Sequence, residues 1–195
     1  MDTDSKNSLI QALTRKEEWF NFLNDKIERQ HISKKELELF QAYMDAEKYL
    51  EVAKQIEEGS FPTEYATKKF INKSGTKKKR VVYSFSEETN ITLKFIAYYL
   101  HKYDDFFESN CYAFRKNHGV KQALCKLKGN RKFTHMYCYK ADIHDYFNSI
   151  DVSKLLEKMQ FIKEDDSFLY QIFEKLLLEK KVQFEGNIIM EEHGA

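Results

Sequence analysis

The chain is poor in residues that break or crosslink regular structure. Its 195 residues hold one proline, Pro62, and six glycines. With 42% apolar residues, such a chain is neither disordered nor of low complexity, and it can bury a real core. Three cysteines, Cys111, Cys125 and Cys138, are odd in number and widely spaced. They fit no zinc pattern, read as small core fillers, and suggest a reducing, cytoplasmic interior. No apolar run approaches the roughly 18 residues that a membrane span needs. The start, MDTDSKNSLIQ, lacks the basic and apolar regions of a signal peptide.

Acidic residues are missing from two long stretches. Tyr65 to Ser86 holds no Asp or Glu but seven Lys/Arg, and Ser109 to Ala141 holds none but eight Lys/Arg. A net charge of +1 therefore hides a segregated basic surface, which points to a local polyanion partner. Two ordinary solvated faces are the plainer alternative.

Residues 1–58 read as helical, with Leu9, Leu13, Trp19, Phe20, Leu23 and Ile27 at helical spacing. Ser33 opens a capping box with Glu36. A bend is expected between Tyr43 and Lys48, and a stop at Gly59. Tyr65–Asn72 and Arg80–Phe85 have strand composition and flank a basic turn with Gly75, a hairpin pattern. Ser86 should cap a helix. Another should start at Asn117 or His118, with Val120, Ala123, Leu124 and Leu127 inward. Thr134–Ile143 reads as a buried strand. Asp151 or Ser153 should cap a further helix. A helix over about 165–180 and a hairpin around Glu185-Gly186-Asn187 complete the pattern.

The stretch YKADIHDYFNSID, Tyr139 to Asp151, ends that expected strand on a carboxylate, Asp142. A buried carboxylate is costly unless paired. It needs a protein partner or a metal, unless Asp142 is only a turn former or cap.

Three ordered blocks carry a family resemblance. INKSGTKKKRVVYSFS resembles a fingers hairpin, NCYAFRKNHGVKQAL an aromatic-Ala-Phe-Arg segment with its helix, and YKADIHDYFNSID the first catalytic strand of a palm. Together they resemble the N-terminal part of a reverse transcriptase of the bacterial kind, related to retrons and group II intron maturases. The resemblance implies an α+β fold: an N-terminal helical region at 1–60, fingers at 61–133 and the first part of the palm at 134–195.

It also implies RNA-directed DNA polymerisation, with RNA template, primer and deoxynucleoside triphosphates as partners, no membrane, and room for a structured cognate RNA. Two Mg²⁺ ions would act in the complete enzyme. Asp142 would be the catalytic metal ligand with the Ile143 carbonyl beside it. Lys73, Arg80, Phe147 and Asp145 would line the nucleotide site. Lys77, Lys78, Lys79, Arg115, Lys116 and Lys121 would contact nucleic acid. Phe147 also suits plain core packing, and Arg115 a structural salt bridge. His144 and Asp151 read as structural.

The family's aromatic-x-Asp-Asp block is absent from these 195 residues. Tyr103-Asp104-Asp105 and Glu164-Asp165-Asp166 do not replace it, because the first precedes Asp142 and both flank helices. The expectation is an N-terminal fragment, inactive alone. The competing expectation is a non-catalytic RNA/DNA-binding module that uses the same basic fingers surface.

Overall fold

The computed structural model describes residues 8–29, 32–72, 75, 79–115, 117–129, 135, 137–144, 146 and 149–191. Four helices come first: α1 (Leu9–Thr14), α2 (Lys16–Glu28), α3 (Lys34–Asp45) and α4 (Lys48–Glu57). Ser33 opens α3 as expected, its Oγ accepting the Glu36 N–H at 3.2 Å. Its partner Glu36 turns elsewhere, to Lys26 at 3.2 Å and Lys94 at 2.7 Å. The expected bend falls at Glu47, whose φ is 51°. Gly59, with φ 69°, follows the end of α4. That left-handed value carries no Cβ penalty only for glycine.

The apolar faces of these helices close around Trp19, which is fully buried. Its ring stacks on Phe95 at 4.1 Å and is flanked by Phe22, Phe40, Tyr43 and Tyr49. Its one polar atom, Nε1, donates to the Leu13 carbonyl at 2.8 Å, so the ring is buried without an unmet donor. Tyr43 and Thr92 solve the same problem together, their hydroxyls 3.0 Å apart. Burial pushes the Tyr43 phenol well above its ordinary value.

Strands β1 (Thr67–Asn72), β2 (Lys79–Ser84), β3 (Lys181–Phe184) and β4 (Asn187–Met190) form one sheet in the order β2-β1-β3-β4. Both hairpins are antiparallel, and β1 meets β3 in parallel at Thr67 and Gln183. The Gln183 N–H donates to the Ala66 carbonyl at 2.9 Å. Glu185 and Gly186 both have positive φ, 49° and 82°, as a two-residue hairpin turn requires.

After β2 come α5 (Glu87–Tyr99), a 3-10 helix (Leu100–Phe106) and α6 (Val120–Lys128). Ser86 accepts the Thr89 N–H at 3.3 Å, the expected cap of α5. Then follow α7 (Val152–Lys158), α8 (Gln160–Asp165) and α9 (Ser167–Leu178). Asp151 caps α7 through the Lys154 N–H at 3.2 Å, again as expected. That backbone hydrogen bond, with the Lys154 charge, holds the Asp151 carboxyl below its ordinary value. Helices and a mixed sheet in one chain make the fold α+β. No helix among the described residues is long and apolar enough to cross a membrane.

The chain forms two compact units. One joins the chain up to Ile96 with that from Ile150 onward; the other is Ala97–Ser149. This division cuts across the boundaries expected at 60/61 and 133/134. Helix α1 packs on α4 and α9, so the N-terminal helices and the β3–β4 hairpin belong to one body.

Two expectations are corrected in the second unit. No strand forms at residue 135 or among residues 137–143, the described part of the expected Thr134–Ile143 strand. A strand exists only as a member of a ladder, and no described segment of this unit offers one. Helix α6 forms, but Val120, Leu124 and Leu127 are exposed rather than inward. The sequence supplies an amphipathic helix, but no described layer of this unit covers its apolar side.

Candidate nucleic-acid interface

The β1–β2 hairpin is a six-pair antiparallel ladder. Its far rungs pair Ile71 with Arg80 and Asn72 with Lys79. Both cations are exposed, so the ladder fixes their backbone and leaves the charges in solvent. Gly75 lies beyond the ladder with φ 74°, the positive value expected of it. Lys73, Lys77 and Lys78, the cations between the two strands, lie outside the described residues.

Lys68, by contrast, is spent within the fold. Its Nζ pairs with Glu191 at 2.6 Å and lies over the rings of Phe70 and Phe184. The Glu191 hydrogen bond raises the Lys68 pKa. A basic stretch in sequence is therefore two populations in space: lysines used by the fold, and lysines facing solvent.

In the second unit, Arg115 departs from its salt-bridge reading. It meets no carboxylate among the described residues. Its guanidinium donates to the Glu108 carbonyl at 3.0 Å and the Cys111 carbonyl at 3.3 Å. It lies 5.9 Å from the Phe107 ring centroid. This arrangement braces the loop before α6 and leaves Arg115 half-buried. Phe114 and Asn117 on either side have positive φ, 57° and 58°, and Phe114 is 99% exposed. Lys121 is exposed on α6. Lys116 lies outside the described residues.

Asp142 and Ile143 are both exposed in a segment without regular structure. Asp145 and Phe147 lie outside the described residues. Among the described residues, no three His, Cys, Asp or Glu side chains converge on a point where a metal could sit. A pair of divalent ions needs several carboxylate oxygens around it. One solvent-facing carboxylate does not meet that need, so the described residues do not fit a two-metal centre.

Some participants escape a motif reading. Lys175 on α9 is one: its Nζ donates to the carbonyls of Ser60 at 2.8 Å, Gly59 at 3.2 Å and Pro62 at 3.4 Å. It thereby fastens the segment that leads into β1. Burial lowers its pKa, against a smaller opposing effect of Glu179. Lys181 is another: the β1–β3 register places it in the same sheet as Lys69 and Arg80. A heptad or motif scan carries no signal for either. Only the alternation Lys69, Ile71 within β1 hints at a solvent-facing strand side.

No protein-family model, no curated protein and no solved structure matches this chain.

Proposed function

We propose that this chain grips nucleic acid as the fingers and leading palm segment of a reverse-transcriptase-like, RNA-directed DNA polymerase. The observation that carries the reading is the β1–β2 hairpin, a regular ladder with Lys79 and Arg80 exposed on its far rungs. It precedes the Arg115 loop and Asp142 in the order that the three sequence blocks require. The physical role of the hairpin is electrostatic. Lysine supplies a point charge and arginine a bidentate fork for phosphate oxygens.

Catalysis is not assigned to the described residues alone. Asp142 becomes a metal ligand only when further carboxylates join it. The purified chain should bind a primer–template hybrid with affinity that falls steeply with salt. It should not extend the primer with deoxynucleotides and Mg²⁺. Template-dependent extension by this chain alone would overturn the division between binding and catalysis.

A second reading, a nucleic-acid-binding module without catalysis, is favoured by the exposure of Asp142 and the lack of converging ligands among the described residues. The two part when the chain is fused to a palm segment that carries an aromatic-x-Asp-Asp turn. Under the polymerase reading the fusion extends primers, and Asp142→Ala abolishes extension while binding survives. Under the module reading the fusion is inert.

A further inference from the structure

We propose that the solvent face of the four-stranded sheet is a track for a single-stranded polynucleotide, with Lys69, Arg80 and Lys181 contacting its phosphates. The proposal rests on the nucleic-acid reading above and adds to it a surface and a strandedness.

The face follows from register and pleat. Side chains alternate across a strand, and directly paired residues share a side. Ile71 pairs with Arg80, Thr67 with Ser84 and with Gln183, Gln183 with Ile188, and Lys181 with Met190. Lys69, Ile71, Arg80, Lys181, Ile188 and Met190 therefore stand on one side. The opposite side holds Phe70 against Phe184 at 5.9 Å, the Lys68–Glu191 pair and Val182, which is fully buried. That is the side turned to the core at the base of the sheet; toward the hairpin tip Phe70 and Val81 are exposed on it too. These six residues are exposed, Ile188 at 61% and Met190 at 66%, whereas Thr67, Val82 and Ser84 on the same side as them are half-buried.

Among strand residues, the solvent side has three cations and no carboxylate; the opposite side has two cations, Lys68, which pairs with Glu191, and the exposed Lys79 near the hairpin tip, and no carboxylate either. Lys69, Arg80 and Lys181 make no ion pair among the described residues; Lys181 only lies 5.9 Å from the Tyr65 ring centroid. The nearest acids in sequence are at the ends of β3. Glu179 accepts the Lys181 backbone N–H at 2.8 Å, and Glu185 sits in the turn.

The layout selects the ligand class. With a rise of roughly 3.3 Å per residue and strands about 4.8 Å apart, Lys69 and Arg80 root about 8 Å from each other, and Lys181 about 14 Å from Lys69. Such a line, from sheet base to hairpin tip, suits a polyanionic chain; a single phosphate needs a cluster. Exposed Ile71, Ile188 and Met190 beside the line offer apolar contact to unpaired bases, which a duplex would keep stacked inside itself.

The test is fluorescence anisotropy with a short labelled oligouridylate, at several salt concentrations, on the full chain. Lys69→Gln with Lys181→Gln should weaken binding about tenfold and flatten the log–log salt slope by about 1.4, at about 0.7 per lost contact on a single strand. Lys34→Gln with Lys54→Gln removes the same charge from α3 and α4 and should change neither. Met190→Lys adds a cation beside Lys181 and should steepen the slope by about 0.7. This gain cannot come from misfolding. Equal losses in the two double variants, or a slope unmoved by Met190→Lys, would overturn the track. Equal competition by polyglutamate, or tighter binding of a duplex, overturns the single-stranded occupant. Binding that ignores the face variants sinks the track alone. If the unmodified chain binds no nucleic acid, the reading of the preceding section falls with it.

Discussion

Asp166 accepts the Leu9 N–H at 2.6 Å through Oδ2, while its Oδ1 accepts the Leu169 N–H at 3.1 Å. One buried carboxylate thus meets the first turns of two helices, α1 and α9, at the end where the helix dipole favours negative charge. Asp166→Ala leaves both N–H groups without this acceptor. The expected cost is about 2–4 kcal/mol, read from urea unfolding. Asp166→Asn keeps one acceptor and should cost less than the alanine. A loss below about 0.5 kcal/mol for Asp166→Ala would contradict the double-cap role.

Trp19 is the only tryptophan and is fully buried, so its fluorescence reports the helical core directly. Emission should be blue-shifted in the native state and move red in one step with denaturant. Trp19→Ala removes the ring that Phe95 stacks on and should cost about 3–5 kcal/mol, enough to unfold a marginal domain. Circular dichroism at room temperature checks the outcome.

Exposure separates two leucines that look alike in sequence. Leu169 is fully buried on α9, whereas Leu124 is half-exposed on α6. Leu169→Ala should cost about 2–5 kcal/mol and Leu124→Ala about 0.5 or less. Equal costs in chemical denaturation would mean that the apolar face of α6 is covered after all.

Glu36 gives a pH dependence of known sign. Burial alone would push its carboxyl up, but the Lys94 and Lys26 ammonium groups outweigh that and hold it below its ordinary value of 4.5. A carboxyl depressed in the folded state adds stability above its unfolded pKa. That stability is lost as pH falls from about 4.5 through the folded value. Glu36→Gln should flatten this part of the acid-unfolding profile, by under about 1 kcal/mol because the site is partly solvated. An unchanged profile would show that the two lysines do not act on Glu36.

Local signals in the sequence were strong where one residue dictates one geometry. Ser33, Ser86 and Asp151 cap helices, and Gly59, Gly75 and Gly186 take positive φ, each for a reason carried by the residue itself. The expected strand through Tyr139 and Ala141 shows the limit. Its alternation is genuine, yet a ladder partner lies outside any local window, and Tyr137 and Tyr139 stand in solvent at 104% and 91% exposure. The same limit hid the sheet face. Nothing near Lys181 announces that β3 lies beside β1, and the line of cations exists only once that parallel register is known.

That register also sets the order in which the first unit can be completed during synthesis. Thr67 waits for Gln183, and Leu9 waits for Asp166, across the whole of the second unit. While the ribosome is still making residues 97–149, the β1–β2 hairpin lacks its inner neighbour and α1 lacks its carboxylate. Contacts of such sequence separation are entropically late and slow to form. The body whose first part leaves the ribosome earliest closes last, and until then the inner edge of β1 is an open template for pairing with another chain.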